Sequence, residues 1–195
     1  MMDDAPDLNQ CIAAHVRDLR SARGLSLDGL ARASGVSRSM ISLVERGETS
    51  PTAALLGKLA RGLGVTLASL FDAPQPPASP LARRDDQPEW RDPASGYVRR
   101  NVSPPGVVQP MRIVEVVFPP GRRVVFENGG RYARVYQQVW VLDGTMEVTV
   151  GEDRHRLSAG DCLAMQLDRP TQFRNPTRSP ARYAVVIAPE PPPSR

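Results

Sequence analysis

Cysteine is scarce in this chain of 195 residues, which contains only two. Cys11 and Cys162 lie far apart in the sequence and form no CxxC pair. The chain can therefore build neither a disulfide framework nor a zinc knuckle from them. We expect both thiols to be buried or idle.

Long apolar runs are missing as well. No stretch approaches the roughly 18 consecutive apolar residues of a membrane-spanning helix. The first seven residues, Met-Met-Asp-Asp-Ala-Pro-Asp, are acidic, whereas a signal peptide begins with basic residues followed by an apolar stretch. We therefore expect a protein that has no membrane partner and stays in the cytoplasm.

Proline is nearly absent from the first part of the chain. Of the 20 prolines, only Pro6 and Pro51 precede position 74. Because the interior of a helix tolerates proline poorly, the front of the chain can be helical, whereas the proline-rich remainder cannot. The length suits two small domains. We expect an α domain followed by a β domain.

Net charge favours a polyanionic partner for the front domain. Residues 8–71 carry seven arginines and one lysine against four acidic residues, a net charge of +4. A basic small domain is typical of proteins that bind nucleic acid. The same balance is also ordinary for the surface of a soluble protein, so charge supports this function without identifying it.

Apolar spacing and turn residues predict five helices in the front domain. Ser26 and Ser37 are N-cap candidates for the second and third helices, and Gly24 and Gly35 end the first and second. Ser50-Pro51 predicts the start of the fourth helix, with serine as the cap and proline at the first helical position. The predicted helices cover residues 8–23, 27–34, 38–46, 51–63 and 66–71.

The third helix carries an unusual outer face. Its apolar residues Ile41 and Val44 point inward, which leaves Arg38, Ser39, Ser42 and Leu43 facing outward. An exposed leucine among polar neighbours needs an apolar partner outside the domain. A thymine methyl group in the major groove of DNA is one such partner.

Short matches run through the whole domain: Leu27-Asp28-Gly29-Leu30-Ala31, Gly35-Val36-Ser37, Ile41-Ser42, Glu45-Arg46-Gly47, Ser50-Pro51-Thr52, Leu59-Ala60 and Leu63-Gly64-Val65. Together they resemble the xenobiotic-response-element (XRE, or Cro/C1-type) helix-turn-helix family over nearly all of residues 12–71. The resemblance implies a transcription regulator whose third helix enters the major groove of double-stranded DNA, while the second lies across the backbone. A helical bundle that binds protein instead is the alternative.

The resemblance also implies roles for single residues. The base-contact candidates are Arg38, Ser39, Ser42 and Leu43, and Arg38 is the strongest because arginine can contact guanine with two hydrogen bonds. The phosphate-contact candidates, which position the domain without reading sequence, are Ser26, Arg46, Thr49 and Lys58. For Glu45 and Arg46, an ion pair or cap inside the domain is an equally good interpretation.

The sequence of the back half predicts a linker followed by strands. Residues 72–95 are rich in proline and predict a semi-extended tether, in which Trp90 should contact the second domain. From Tyr97 onward, apolar residues alternate with a period of two, and Asp143-Gly144 predicts a tight hairpin turn. Many short strands without a helix among them call for a β-sandwich or barrel over residues 96–188, followed by a proline-rich tail at 189–195.

A second resemblance rests on residues 139–151, 157–161 and 169–176. These segments are similar to the two motifs of the cupin family, a family of small β-barrels, and the resemblance covers about residues 107–188. Many cupins hold a metal through histidines and a glutamate. Here the glutamate position falls on Gln137, the paired histidine positions fall within residues 130–133, and the second-motif histidine is Thr171.

This departure at every ligand position predicts a barrel without metal and without a resident cofactor. The barrel interior should carry Tyr132, Gln137, Trp140, Met165 and Thr171, a mixture of polar and apolar groups that suits a small-molecule effector pocket. The alternative is a barrel that fills its interior with its own side chains and merely dimerises. Which residues face inward depends on the strand register.

The sequence thus predicts a five-helix helix-turn-helix bundle followed by a cupin-like β-barrel. We expect a regulator, not an enzyme, that binds a roughly palindromic operator as a homodimer and is associated with the nucleoid. Two alternatives stay open. One is a metal-dependent cupin enzyme with a DNA-binding appendage, and the other is an antitoxin-like DNA binder whose back half holds a protein partner.

Overall fold

The computed structural model describes residues 8–71, 79–107, 110–128 and 135–189. Its front part contains four α-helices: α1 Leu8–Ala22, α2 Leu27–Ser34, α3 Arg38–Glu45 and α4 Ala53–Leu63. The predicted fifth α-helix is wrong, because Leu67–Phe71 forms a 3-10 helix. A five-residue segment can form few i to i+4 hydrogen bonds, and here the Thr66 side chain accepts one from the backbone of Ser69 at 3.1 Å, three residues on.

The N-caps of the helices are partly as predicted. Ser26 accepts a hydrogen bond from the Gly29 amide and Ser37 accepts one from the Met40 amide, so both predicted caps are confirmed. The predicted start of α4 at Ser50-Pro51 is wrong by two residues. Thr52 is the cap, and its hydroxyl accepts from the Leu55 amide at 3.2 Å.

One core holds the helices together. Ile12 and Val16 of α1 are fully buried, as are Leu30 of α2, Ile41 of α3 and Leu56 of α4. The helices α2 and α4 approach so closely that a Cβ atom placed on Gly62 would stand 2.7 Å from the Cβ atom of Ser34. A glycine is therefore required where these two helices meet.

Ten strands form the back part: β1 Glu89–Arg91, β2 Val98–Asn101, β3 Arg112–Phe118, β4 Arg123–Phe126, β5 Val135–Asp143, β6 Thr145–Val150, β7 Asp153–Ser158, β8 Cys162–Gln166, β9 Thr171–Arg174 and β10 Ala181–Pro189. They build a six-stranded sheet in the order β1-β2-β3-β10-β5-β8 and a four-stranded sheet in the order β4-β9-β6-β7. All pairs of neighbouring strands are antiparallel. The strand β1 lies inside the segment that the sequence predicted as linker.

The predicted hairpin at Asp143-Gly144 is wrong. The strands β5 and β6 that flank it do not pair with each other but belong to different sheets. Gly144 has a φ of 79° at this corner, and a Cβ atom on it would stand 2.9 Å from the carbonyl oxygen of Pro180. A turn that carries the chain from one sheet to the other and a hairpin turn favour the same residues, because both need a sharp turn with positive φ.

The two parts of the chain are packed against each other. Trp90 of β1 meets Phe71 of the 3-10 helix edge-to-face at a centroid distance of 5.4 Å, and the guanidinium of Arg99 lies 4.8 Å above the same Phe71 ring. On α4, Lys58 and Arg61 lie 3.7 and 3.5 Å from the carboxylate of Glu127, which follows β4. None of the helices in the described ranges combines the length and apolar character that a membrane crossing requires.

Candidate functional site

The outer surface of α3 is the first candidate site. Arg38 and Ser39, in the first turn, are exposed, whereas Ser42 and Leu43 are half-buried. The Arg38 side chain is 66% exposed and its Nε atom lies 3.7 Å from a carboxylate oxygen of Asp28, the second residue of α2. This exposed pair costs little to break. Arg38 is therefore available to a partner of α3.

An ion pair holds α3 against α1. Arg20 donates from Nε and Nη2 to the two oxygens of Glu45 at 2.6 and 2.8 Å, and from Nη1 to the Leu25 carbonyl at 2.9 Å. The hydrogen bonds that Arg20 donates to Glu45 raise the pKa of Arg20. Glu45 is buried, so of its two possible roles the pairing inside the domain is the one that the structure contains. This bidentate geometry fixes the orientation of α3.

The predicted phosphate contacts lie in different surroundings. Ser26 is exposed at the N-terminus of α2, and Thr49 is half-buried after α3. Arg46 donates to both oxygens of Glu48 at 2.7 and 2.8 Å and also to the Ser42 hydroxyl; the hydrogen bond to Glu48 raises the pKa of Arg46. Lys58 lies at the junction with the barrel, beside Glu127, so a phosphate contact there stays a prediction only.

A cavity of about 140 Å³ between the two domains is the second candidate site. Its barrel wall comes from both sheets and includes Val116, Phe118, Phe173 and Val185. The first domain closes another side with residues of α4 and the segment after it: Gly57, Ala60, Arg61, Gly64, Val65, Thr66, Leu67 and Ala68. The cavity is therefore shared by the helix-turn-helix domain and the barrel.

Several polar groups reach the cavity from the barrel. Gln137 on β5 is 8% exposed, and no hydrogen bond to its side chain occurs within the described residues. The Thr171 hydroxyl accepts a hydrogen bond of 2.8 Å from the amide of Asn128. Tyr97 and Tyr183 also line the cavity. Burial raises the pKa of both phenols, so each retains its O–H as a hydrogen-bond donor.

The predicted pocket residues have four different outcomes. Gln137 and Thr171 line the cavity. Met165 is buried in the core but lies outside the cavity wall, and Tyr132 lies outside the described residues. Trp140 is on the outer face of the six-stranded sheet with 49% of its surface exposed. Because β5 buries its odd-numbered residues from 135 to 141, an inward Gln137 requires an outward Trp140.

Sequence reasoning missed most of the cavity wall, since only Gln137 and Thr171 of the predicted pocket residues line it. Three of the missed residues are Tyr97 in the turn before β2, Arg99 on β2 and Tyr183 on β10. All three lie outside the two cupin motifs. Alternation along β10 could have placed Tyr183 inside. No local signal could have shown that Gly57 and Arg61 of α4 contribute to the same cavity, since that depends on how the two domains pack.

The residues at the cupin ligand positions do not fit a metal ion. Gln137 offers a neutral amide and Thr171 offers a hydroxyl already engaged by Asn128, whereas first-row metals prefer imidazole, thiolate or carboxylate donors. The two histidines of the chain are His15 on α1 and His155 on β7. The described residues contain no group of three or more His, Cys, Asp or Glu side chains that could hold a metal.

The outer face of the six-stranded sheet is a third feature. Tyr136 and Trp140 of β5 and Ile113 and Val117 of β3 are between 38% and 49% exposed. Between them, β10 presents Ala184 and Val186, since the register pairs Ala184 with Trp140 and Val186 with Ile113. We call this surface the β3–β10–β5 face. It is an apolar patch of the kind that marks protein interfaces.

Models of two protein families match the chain. The helix-turn-helix family matches residues 16–70, and the cupin domain family matches residues 115–187. The first match contains all of α2, α3 and α4, and the second contains β4 to β9 together with most of β3 and β10. The two candidate sites thus lie in the two matched regions and at their junction.

Relatives with both parts span nearly the whole chain. The HTH-type transcriptional regulator SutR of Escherichia coli is 27% identical over 194 residues, which covers 93% of this chain and 96% of SutR. The HTH-type transcriptional regulator PuuR of Escherichia coli is 26% identical over 175 residues, or 88% of this chain and 91% of PuuR. The crystal structure of an HTH_3 family transcriptional regulator from Vibrio cholerae superposes with a TM-score of 0.73 at 25% identity and covers 95% of this chain and 98% of that one.

The matches to both family models and the relatives that span nearly the whole chain lead to one conclusion. The chain is an XRE-type helix-turn-helix transcriptional regulator with a C-terminal cupin domain.

Proposed function

We propose that this regulator binds a roughly palindromic DNA operator as a homodimer, reads bases with α3 and responds to a small effector held in the barrel cavity. The observation that carries the DNA-binding part is the exposed first turn of α3, where Arg38 and Ser39 project from a helix fixed by the Arg20–Glu45 pair. A recognition helix reads bases with its N-terminal residues. Ser42 and Leu43, half-buried one turn later, complete the reading set.

Phosphate contacts are proposed for Ser26, Thr49 and Arg46. Ser26 stands at the N-terminus of α2, where free backbone amides favour an anion. Arg46 must exchange its exposed partner Glu48 for a phosphate, and a fully exposed pair of this kind costs little to separate. These contacts would position the domain on DNA. We therefore expect the protein to be associated with the nucleoid.

The homodimer is supported by the β3–β10–β5 face. A C2 interface needs one self-complementary surface, and this face offers an apolar centre around Trp140. Charged groups lie on the same face, because Glu115, between Ile113 and Val117 on β3, pairs with Arg100 and Arg182. Pairing through this face would give a dimer with two helix-turn-helix domains, one for each half-site of an operator.

The first test is selection of binding sequences from a pool of random duplexes, followed by footprinting. We expect an inverted repeat whose half-sites are about one helical turn, or 34–36 Å, apart or a multiple of that distance. A selected sequence without two-fold symmetry would contradict the dimeric reading mode.

The second test compares Arg38→Ala with Arg17→Ala. Both arginines are exposed, at 66% and 56% of the side chain, and each lies within 4 Å of an aspartate. Both variants lose the same charge, but only Arg38 is on α3. We expect Arg38→Ala to lose about 1–3 kcal/mol of specific binding, roughly 5- to 150-fold, with a smaller loss for non-specific DNA. Equal losses for the two variants would remove Arg38 from the reading set.

A metal-dependent cupin enzyme is the second candidate function, as the fold alone permits it. Metal analysis of the purified protein separates the two, since stoichiometric iron, manganese or zinc would favour the enzyme. The donor set around Gln137 and Thr171 supports a regulator without metal. Copurification of a stoichiometric protein partner would favour the antitoxin-like alternative.

A further inference from the structure

We propose that the cavity shared by α4 and the barrel binds a small organic carboxylate, with the helix-turn-helix domain forming part of the binding site. The proposal rests on the sensing role proposed above and names the chemistry of its effector. It assigns the ligand to the junction of the two domains and not to the barrel alone.

Polar groups without a protein partner line this cavity. The Gln137 side chain is more than nine-tenths buried, yet no hydrogen bond to it occurs in the described part of the chain. The hydroxyls of Tyr97 and Tyr183 likewise have no hydrogen-bond partner among the described residues. All three side chains line the cavity, where their polar atoms are open to a ligand that can form hydrogen bonds with them.

Most of these groups can donate to an oxygen. The two phenols stay protonated, and the amide nitrogen of Gln137 adds two N–H donors. Thr171 already accepts from Asn128, so its own O–H is free to donate. The apolar remainder of the wall, including the stacked pair Phe173 and Tyr183 at 5.9 Å, suits a short hydrocarbon body. Donors at one side of an apolar cavity match a carboxylate on a short chain.

Charge favours an anion over a cation. The charged side chains that line the cavity are Arg61, Arg99 and Glu127. Glu127 lies within 4 Å of the cationic atoms of both Lys58 and Arg61, so the single carboxylate in the described wall is already paired. A cationic ligand would therefore find no uncommitted carboxylate in the described wall.

The size of the cavity limits the ligand. A volume of about 140 Å³ is close to that of the engineered protein cavity that accommodates benzene, about 150 Å³. Carboxylates of four to six carbon atoms are therefore the expected size, an order-of-magnitude match to that volume.

Ligand binding should change the packing of the barrel against α4. Phe126, which lines the cavity, stands against α4 at Gly57, where a Cβ atom would be 3.3 Å from Phe126 Cδ1. The ring also packs edge-to-face on Phe173 at 6.0 Å. A ligand that contacts both domains stabilises the arrangement in which they are docked. It therefore shifts the population of orientations that the helix-turn-helix domain adopts relative to the barrel.

The test uses the full chain and a matched series of probes: butyrate, butyramide and butylamine, with chloride at equal ionic strength as the salt control. We expect butyrate to raise the Tm in a saturable manner, by about 5–10 °C at a hundred times its Kd, and the amide and amine to raise it much less. Equal shifts for all three probes, or no shift with butyrate, would overturn the assignment to a carboxylate.

The variant Gln137→Met tests the site itself, with Gln138→Met as its control. The two glutamines are neighbours on β5, but Gln138 is exposed on the outer face. We expect Gln137→Met to fold with an unchanged or higher Tm, since an unpartnered amide is removed, and to lose the response to butyrate at least tenfold in Kd. Tyr97→Phe, which removes only a hydroxyl, gives the same readout if Gln137→Met does not fold. A full response in both variants would overturn the site.

The regulatory part is tested with operator DNA. Butyrate should change the Kd for the selected operator in the wild-type chain and not in Gln137→Met, and an unchanged Kd would overturn the coupling to DNA binding. The outcomes separate the two proposals. Operator binding without a butyrate response contradicts only the ligand, whereas a butyrate response without operator binding contradicts only the DNA-binding function.

Discussion

The backbone amide of Ala53 donates a hydrogen bond of 2.8 Å to Oδ1 of Asp92. Ala53 is the first residue of α4, and Asp92 follows β1. This bond therefore joins the helix-turn-helix domain to the six-stranded sheet of the barrel. The other carboxylate oxygen, Oδ2, accepts from the amide and hydroxyl of Ser95 at 2.8 and 2.5 Å. A carboxylate at a helix N-terminus also interacts favourably with the helix dipole.

Replacing Asp92 by alanine should destabilise the docked arrangement of the two domains. The change removes three hydrogen bonds to a buried charged group and leaves the Ala53 and Ser95 amides without partners, at a cost of about 3 kcal/mol. Urea unfolding followed by circular dichroism measures this loss. The exposed Asp86→Ala control should stay within about 0.5 kcal/mol of wild type, and an equal effect in both variants would contradict the role of Asp92.

The contact between α2 and α4 predicts opposite effects for two glycine substitutions. Gly62→Ala should destabilise the chain by about 1–3 kcal/mol, because its Cβ atom would meet both the side chain and the backbone of Ser34 at 2.7–2.9 Å. Gly29→Ala on α2 meets nothing closer than 3.4 Å, and should gain up to about 1 kcal/mol from helix propensity. Thermal unfolding compares the two. Stabilisation by both would show that α2 and α4 can separate freely.

The outer face of the six-stranded sheet predicts the effect of charge on assembly. Trp140→Glu places a carboxylate on the β3–β10–β5 face and should convert the proposed homodimer into a monomer, because a buried unpaired charge is costly at an interface. Val125→Glu makes a comparable change on the other sheet, where Val125 is 43% exposed, and should leave the dimer intact. Sedimentation velocity distinguishes the species. A dimer of Trp140→Glu as tight as wild type would exclude this face.

Stability should fall at alkaline pH because of two buried phenols. Burial raises the folded-state pKa of Tyr97 and Tyr183 above the usual value, so the stability they contribute is complete below about pH 10, where unfolded tyrosine titrates, and is lost as the pH rises toward the folded-state value. The slope is about 1.4 kcal/mol per pH unit for each phenol. Tm measured as a function of pH checks this.

The control for the alkaline loss is a pair of phenylalanine variants. Tyr183→Phe should reduce the slope, because the variant has no phenol to ionise on unfolding. Tyr136→Phe, at a position that is 45% exposed on the sheet surface, should leave the slope as it is. Identical slopes in all three proteins would mean that other groups control alkaline unfolding.

Local chemistry made much of the front domain predictable. Serine hydroxyls at positions 26 and 37 could only serve as caps if helices began after them, and both do. The limit appears at Ser50-Pro51, where Thr52 takes the cap, and at residues 67–71, where the segment is too short to commit to an α-helix. Boundaries of this kind depend on competition between nearby groups of similar strength.

The barrel was harder to predict because period-two patterns fix alternation but not phase. Gln137 and Trp140 cannot both face inward on a regular strand, and the pairing of β5 with β10 and β8 decides that Gln137 does. Asp143-Gly144 has the sequence of a hairpin, yet Gly144 turns the chain from one sheet to the other. Pairing partners far along the chain decide such cases.

The sequence by itself determined the two domains, their order and the departure of Gln137 and Thr171 from a metal-ligand set, since each depends on residue types at short spacing. Only the tertiary structure decided that Asp92 accepts a hydrogen bond from the first amide of α4 and that Gly57 and Arg61 share a cavity with Tyr97 and Tyr183. These relationships join residues 36 to 126 positions apart. Contacts at such separations arise from the packing of surfaces, which no local pattern encodes.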